Sequence, residues 1–198
     1  MSTSLLEPRV KKTAVAAASS KRADAVDEQN PAFELFQKDK LTWRNVDWTV
    51  LIWMVAMHVG CLAAPFFITW QALTVTAVLY WLTASVGVCL GYHRYLAHRS
   101  FKLKSPAEFF VLLCGSLSGE GSPLTWAATH RLHHQRSDLD GDPHSPLHGK
   151  LWSHIMWIFL RHTPREHQLL IDRYAPDLAA RPLMQFFEKT FGLWLVVT

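Results

Sequence analysis

Val46–Ile68 reads VDWTVLIWMVAMHVGCLAAPFFI, and after a short break Gln71–Tyr92 reads QALTVTAVLYWLTASVGVCLGY. Neither run contains Lys, Arg or Glu. Each holds about 22 residues, which as an α-helix is about 33 Å long, enough to cross the hydrocarbon core of a bilayer. The pair predicts a transmembrane hairpin with spans at about 46–68 and 71–92, in an all-α integral membrane protein. A mean hydropathy of only +0.06 is the average of these spans with a polar N-terminus and a histidine-rich polar half.

The charge distribution orients the hairpin. The formal charge is +4, but the basic residues neither line one helix face nor alternate with aromatics, so a nucleic-acid partner is excluded. They sort by membrane side instead. Lys11, Lys12, Lys21, Arg22, Lys38, Lys40 and Arg44 precede the first span and Arg94, Arg99, Lys102 and Lys104 follow the second, while Pro65 to Gln71 carries none. The positive-inside rule then places both outer ends in the cytoplasm. Trp43, Trp48 and Trp70 stand where indoles anchor at interfaces, and Pro65 helps to end the first helix. His58 lies in mid-span and reads as a structural residue facing a neighbouring helix. Cys61, Cys89 and Cys114 form no paired motif, which predicts reduced thiols.

Just beyond the second span comes Tyr92-His93-Arg94-Tyr95-Leu96-Ala97-His98-Arg99, and later Thr129-His130-Arg131-Leu132-His133-His134. Positions i, i+3 and i+4 share a helix face, so His130, His133 and His134 project together as a metal-binding face. His93 and His98 are about 140° apart on an ideal helix, so they meet one centre only if the helix ends or unwinds between them. Neutral imidazole suits Fe, Zn, Cu and Ni, and five such ligands exceed one tetrahedral zinc, which points to two metals or a shared cluster. The chain has no HExxH, PCxxC or ExxH arrangement, which sets aside zinc proteases, deaminases and carboxylate-bridged di-iron bundles. His148, His154, His162 and His167 lack paired spacing and read as polar surface.

HRYLAHRSFK followed by HRLHH resembles the first two histidine boxes, HxxxxH and HxxHH, of the membrane fatty acid desaturases. The flank Arg99-Ser100-Phe101-Lys102, with Arg94, resembles the delta-9, stearoyl-CoA-like branch. The resemblance covers roughly residues 30 to 198; the family's third box is absent from them. It implies an O₂-dependent oxidoreductase that places a cis double bond, at the delta-9 position, in a saturated acyl chain carried as acyl-CoA or acyl-lipid. It also implies two iron ions held by His93, His98, His130, His133 and His134 together with ligands from further spans. The family has a similar Asp-Pro-His segment after its second box, which gives Asp142 and His144 the role of orienting the ligands.

Reducing O₂ to water takes four electrons, of which the substrate supplies two. With no haem or iron–sulfur motif in the chain, a separate donor such as cytochrome b5 or a ferredoxin must supply the rest. Two other readings stand beside this one. A related di-iron hydroxylase would use the same kind of ligand set, and a non-catalytic metal-binding or transport protein would expect polar ligands within the spans, where only His58 qualifies.

The remaining segments are read as follows. Residues 1–30 predict a disordered tail, since Glu7, Asp24, Asp27 and Glu28 disfavour an organelle transit peptide, and residues 31–198 a single membrane domain. Phe33, Leu35 and Phe36 lie either on the membrane surface or against the domain. Pro106–Leu117 is too short to span and is expected to be re-entrant or interfacial. Ser122-Pro123 opens the helix of the second box, where Trp126, one turn before His130, either walls an acyl channel or packs in the core. Arg94, Arg99, Lys102, Arg131 and Arg136 either pair with phosphates of CoA or of a lipid headgroup, or anchor at the interface. Ser137–Pro146 reads as turns rather than a calcium loop, and Leu151–Leu160 as one amphipathic helix with Trp152, Ile155, Met156 and Phe159 on a stripe. From about residue 183 the chain starts a third apolar helix, read as a span cut short; the 198 residues alone are expected to be inactive.

Overall fold

The computed structural model describes residues 30 to 197, so the predicted tail lies outside the described residues except for Asn30. That residue is already part of the fold. Asn30 is buried, accepts from the Ala32 N–H at 3.0 Å and donates to the Tyr174 hydroxyl at 3.1 Å. The described residues form helices and turns, with a single isolated antiparallel bridge, Val46 to Leu160.

Helix α1, Trp48–Ala63, continues as a 3₁₀ turn Ala64–Phe67 that contains Pro65. Helix α2, Trp70–Tyr80, runs without a break into a π-helical stretch, Trp81–Ala97. The one acid of the first apolar run, Asp47, accepts from the Val50 N–H at 3.1 Å and so caps α1. Thr69 does the same for α2 through the Ala72 N–H. Trp48–Phe67 and Trp70–Ala97 are long and apolar enough to cross a membrane, and only 0% and 6% of their most apolar windows is buried. A core helix of a water-soluble protein would be covered by its neighbours; these are not. His58 lies on α1 with Nδ1 2.7 Å from the Met54 carbonyl, one turn back.

Helix α3, Ser105–Ser116, the segment too short to span, packs closely along the π-helical stretch and buries Val111, Leu112 and Cys114. Glycines make that approach possible. A Cβ on Gly87 would sit 2.3 Å from the Gly115 nitrogen, and one on Gly115 would sit 2.4 Å from the Tyr92 ring. Glu108, buried in this apolar helix, accepts from the Tyr95 hydroxyl at 2.8 Å and pairs with Arg181. A charge taken out of water needs such partners, and here they tie α3, the π-helical stretch and the chain just before Pro182 together.

Helix α4, Pro123–Arg136, starts where Ser122-Pro123 predicted: the Ser122 hydroxyl accepts from the Thr125 N–H at 3.1 Å. The predicted helix over Leu151–Leu160 is broken. Lys150–His154 forms a short helix α5 and Met156–Phe159 a 3₁₀ turn, with Ile155 at φ −148° between them. The end of the segment pairs with the chain before α1: Asp47 N–H donates to the Phe159 carbonyl at 2.8 Å and Arg161 N–H to the Asn45 carbonyl at 2.9 Å. Trp152 is fully buried and donates to the Pro143 carbonyl at 3.1 Å.

Helix α6, Pro164–Tyr174, carries a capping box between Thr163 and Glu166; α7, Pro176–Ala179, and α8, Pro182–Val197, follow. The first half of α8 buries Met184 and Phe187 while Leu193 and Val196 are exposed. The core joins the π-helical stretch, α3, α4, α6 and α8 around Tyr92, Leu96, Leu112, Leu132 and Phe187. Phe33, Leu35 and Phe36 belong to that core, which settles their two readings in favour of packing on the domain. The Arg136 guanidinium lies 4.2 Å from the Phe33 ring centroid, and the Phe36 ring meets Trp157 and His162 edge-on.

Candidate metal centre

Two helix ends build the site. In the first box the helix closes with i→i+5 bonds: the His98 N–H donates to the His93 carbonyl at 3.0 Å. A turn of that size brings residues five apart into register, so the rings of His93 and His98 lie 4.6 Å apart although an α-helix would separate them. The helix ends at Ala97, with His98 as its cap and Arg99 in the left-handed region at φ 52°. Both the unwinding and the terminus expected between these histidines are present.

The second box supplies the opposite wall. His130 lies 4.6 Å from His93 and His134 lies 4.6 Å from His98, centroid to centroid. His130 and His134 approach each other to 3.0 Å between Nε2 atoms. One nitrogen from each of His93, His98, His130 and His134 lies within 4.8 Å of the others, the spacing of a shared cation site. His133 faces a second group. Its Nδ1 is 2.8 Å from Asp142 Oδ1 and its ring centroid 4.1 Å from that of His144, and His133, Asp142 and His144 form a further cluster of metal-ligating atoms.

The electrostatics suit a cation. Burial, with the neighbouring imidazoles His93, His134, His133 and His98 adding to it, pushes the pKa of His130 down to about 3. Burial and the other imidazoles lower His134 too. At neutral pH these rings are uncharged and carry free lone pairs, the form that metals bind. Asp142 is fully buried; burial alone would raise its pKa. The hydrogen bonds from His133 and from the Asp138 and His144 N–H groups outweigh that and leave it below the ordinary carboxylate range. An Nδ1–H held by a carboxylate fixes the ring and leaves Nε2 to a ligand, so Asp142 is placed to orient His133. Four convergent imidazoles plus an oriented fifth are a donor set that fits a first-row transition metal such as iron.

Trp126 stacks on His130 at 4.7 Å and 22°, with Tyr92 5.7 Å and His93 6.3 Å away, and its indole N–H donates to Glu120 at 3.2 Å. It walls the cluster. Arg94 and Lys102 are exposed. Arg99 pairs with Asp177 at 2.7 Å, Arg136 donates to the Asp140 carbonyl at 2.8 Å, and Arg131 turns inward with three protein partners. His162 and His167 are corrections to the surface reading. The first is partly covered by Phe36, and the second lies 2.7 Å from the Thr125 hydroxyl and 3.4 Å from Glu188, which also bonds Ser122. A lone Glu188 within an apolar stretch is the local hint of the second network.

No family model matches the chain. Among curated proteins it is 39% identical over 149 residues to an sn-1 stearoyl-lipid 9-desaturase of Anabaena variabilis, covering 74% of this chain and 54% of that protein. It is 44% identical over 117 residues to delta-9 acyl-lipid desaturase 1 of Arabidopsis thaliana, covering 59% and 38%. With an acyl-CoA 5-desaturase of Anemone leveillei the identity is 34% over 182 residues, 86% of this chain and 55% of that protein. The chain spans about half the length of the curated relatives it matches. With both histidine boxes converging on one cluster, these matches place the chain in the membrane fatty acid desaturase family.

Proposed function

We propose that the protein takes part in O₂-dependent desaturation of a long saturated acyl chain at the delta-9 position, with a di-iron centre held by His93, His98, His130, His133 and His134 and by ligands beyond these. The observation that carries the proposal is the convergence of imidazoles from two separate boxes beside the end of a membrane-capable helix. Iron so held, with O₂ and electrons from a separate donor such as cytochrome b5 or a ferredoxin, supplies the oxidant needed to remove hydrogen from an unactivated pair of methylenes. The chain's own residues do the rest. Asp142 and His144 fix the orientation of His133, burial keeps the His130 ring neutral, and Trp126 gives an apolar wall against which a methylene chain is held. Positioning matters because nothing chemical distinguishes one methylene pair from the next.

Residues 31–198 act as one membrane domain, and the hairpin lies in the bilayer with both histidine boxes at the cytoplasmic face, as the distribution of Lys and Arg favours. Arg94 and Lys102, exposed beside the first box, are suited to the phosphates of CoA or of a lipid headgroup. The test is expression of the complete gene product in a host that makes no monounsaturated fatty acids, with its lipids analysed for double-bond position. A delta-9 cis product supports the proposal. A hydroxylated product would assign the hydroxylase reading, and iron bound without either product would sink the enzymatic one.

A further inference from the structure

We propose that Arg131 is a positioning residue: it sits inside the second histidine box and fixes that box's distance from the first by holding the end of the first box's helix. The inference rests on reading the histidine cluster as a metal centre. Four imidazoles reach within 4.8 Å of one another from two separate helices, so something must set the separation of those helices. Core packing brings the two helices together, while the backbone between the boxes links them only indirectly, leaving through α3 and returning by a loop containing Gly119 and Gly121, both at positive φ.

Arg131 bridges the gap directly. One terminal nitrogen, Nη2, donates to the Leu96 carbonyl at 2.6 Å, between His93 and His98. The other, Nη1, donates to the Tyr174 carbonyl at 2.8 Å, at the end of α6, and to Asp177 Oδ1 at 2.7 Å, at the start of α7. Asp177 takes Arg99 as well, at 2.7 Å, so residues of both boxes meet on one carboxylate.

The chemistry explains why an arginine stands there. The last carbonyls of a helix have no partner within it, and the Leu96 carbonyl is one of these. A cation at a helix C-terminus also meets the favourable end of its dipole. Only a planar fork with several donors reaches two carbonyls and a carboxylate at once; an ammonium offers a point charge on a shorter reach. The side chain of Arg131 is only 16% exposed, whereas that of Arg99 is 64% exposed. Solvent competes little for the bonds of Arg131, and the ion pair of Arg99 is the dispensable one. This arrangement also accounts for Arg131 not facing outward toward a phosphate.

The experiment uses the 198-residue chain in detergent, with its three cysteines replaced and spin labels at Lys102→Cys and Leu139→Cys. Pulsed electron resonance gives the distance distribution between the first-box flank and the loop after α4. Arg131→Gln and Arg131→Lys are each expected to broaden and lengthen it, while Arg99→Ala leaves it narrow. In the unlabelled chain, Co²⁺ titration followed by visible absorption is expected to show a fall in affinity of about 10- to 100-fold for Arg131→Lys, the range seen when groups that orient ligands are removed. Helical circular dichroism at the same temperature shows whether each variant is folded. If Arg131→Gln does not fold, Arg131→Lys and Asp177→Asn carry the test, the latter keeping the guanidinium but loosening its anchor. An unchanged distance distribution in the folded Arg131 variants overturns the proposal. A broadened distribution with unchanged Co²⁺ affinity overturns it too, because the brace would then serve the fold alone. A parent chain that takes up no Co²⁺ counts against the metal reading, and the distance measurement still decides whether Arg131 sets the spacing.

Discussion

Asp142→Asn tests how the second box is oriented. The buried carboxylate accepts three hydrogen bonds: from His133 Nδ1 at 2.8 Å, from the His144 N–H at 3.1 Å and from the Asp138 N–H at 3.0 Å. The first two reach Oδ1 and the third reaches Oδ2. An asparagine keeps only one oxygen. Its best orientation points the oxygen at His133 and His144 and turns the amide NH₂ against the Asp138 N–H, leaving one buried donor without an acceptor. An orphaned buried donor costs about 1–3 kcal/mol, and the remaining two bonds lose their charge assistance. A loss of about 1–3 kcal/mol is therefore expected in stability, a sizeable part of the total of a marginally stable domain. Asp142→Ala removes all three acceptors and is expected to cost more. The asparagine amide holds the His133 ring less firmly, so Co²⁺ affinity should fall by about 10- to 100-fold. Thermal unfolding by circular dichroism gives the first quantity and Co²⁺ titration the second. A full loss of stability with unaltered Co²⁺ affinity would refute the reasoning, since Asp142 would then serve only to close the turn after α4.

Further outcomes follow from packing, charge and topology. Gly87→Ala drives a Cβ to 2.3 Å from the Gly115 backbone nitrogen, which cannot yield as a side chain does, so a loss of about 1–3 kcal/mol or more is expected in thermal unfolding. The Glu166 carboxylate is held below the usual range by hydrogen bonds from the Thr163 N–H and hydroxyl. Its folded pKa is depressed, so its contribution is present above the ordinary glutamate pKa and is lost as the pH falls through the folded value. Glu166→Gln should flatten the acid limb of stability against pH, and an unchanged limb would show that the capping box contributes nothing. In intact cells a membrane-impermeant thiol reagent should modify a single cysteine placed between Ile68 and Gln71 and spare one at Ser100 or Ser137; the reverse pattern would put the boxes on the wrong side for a cytoplasmic donor. Alanine at any of the five box histidines should abolish desaturation by the complete gene product while His154→Ala, on the exposed face of α5, should not.

Local chemistry was legible in the sequence wherever one short stretch carried the whole signal. Two apolar runs of spanning length gave the two membrane-capable helices, Ser122-Pro123 gave the start of α4, and the spacing of His130 and His134 gave one face of the cluster, because each depends on helical periodicity and caps within a few residues. Tertiary structure decided what depends on partners far along the chain. The π-helical turn that aligns His93 with His98 has no hydrophobic pattern of its own, so the sequence required a distortion there without naming its form. The chain at the end of the Leu151–Leu160 segment pairs through Phe159 and Arg161 with Asp47 and Asn45, and Phe33 and Phe36 pack on surfaces offered by Arg136, Trp157 and His162. His133 parted from the other four imidazoles because Asp142, in the following loop, holds its Nδ1. Arg131, which by composition was one more cation near a membrane, joins Leu96 to Asp177 across separations of 35 and 46 residues. Such pairings are set by how helices pack, since any cation in the sequence has many carbonyls and carboxylates it could meet and only the folded chain brings one set within reach.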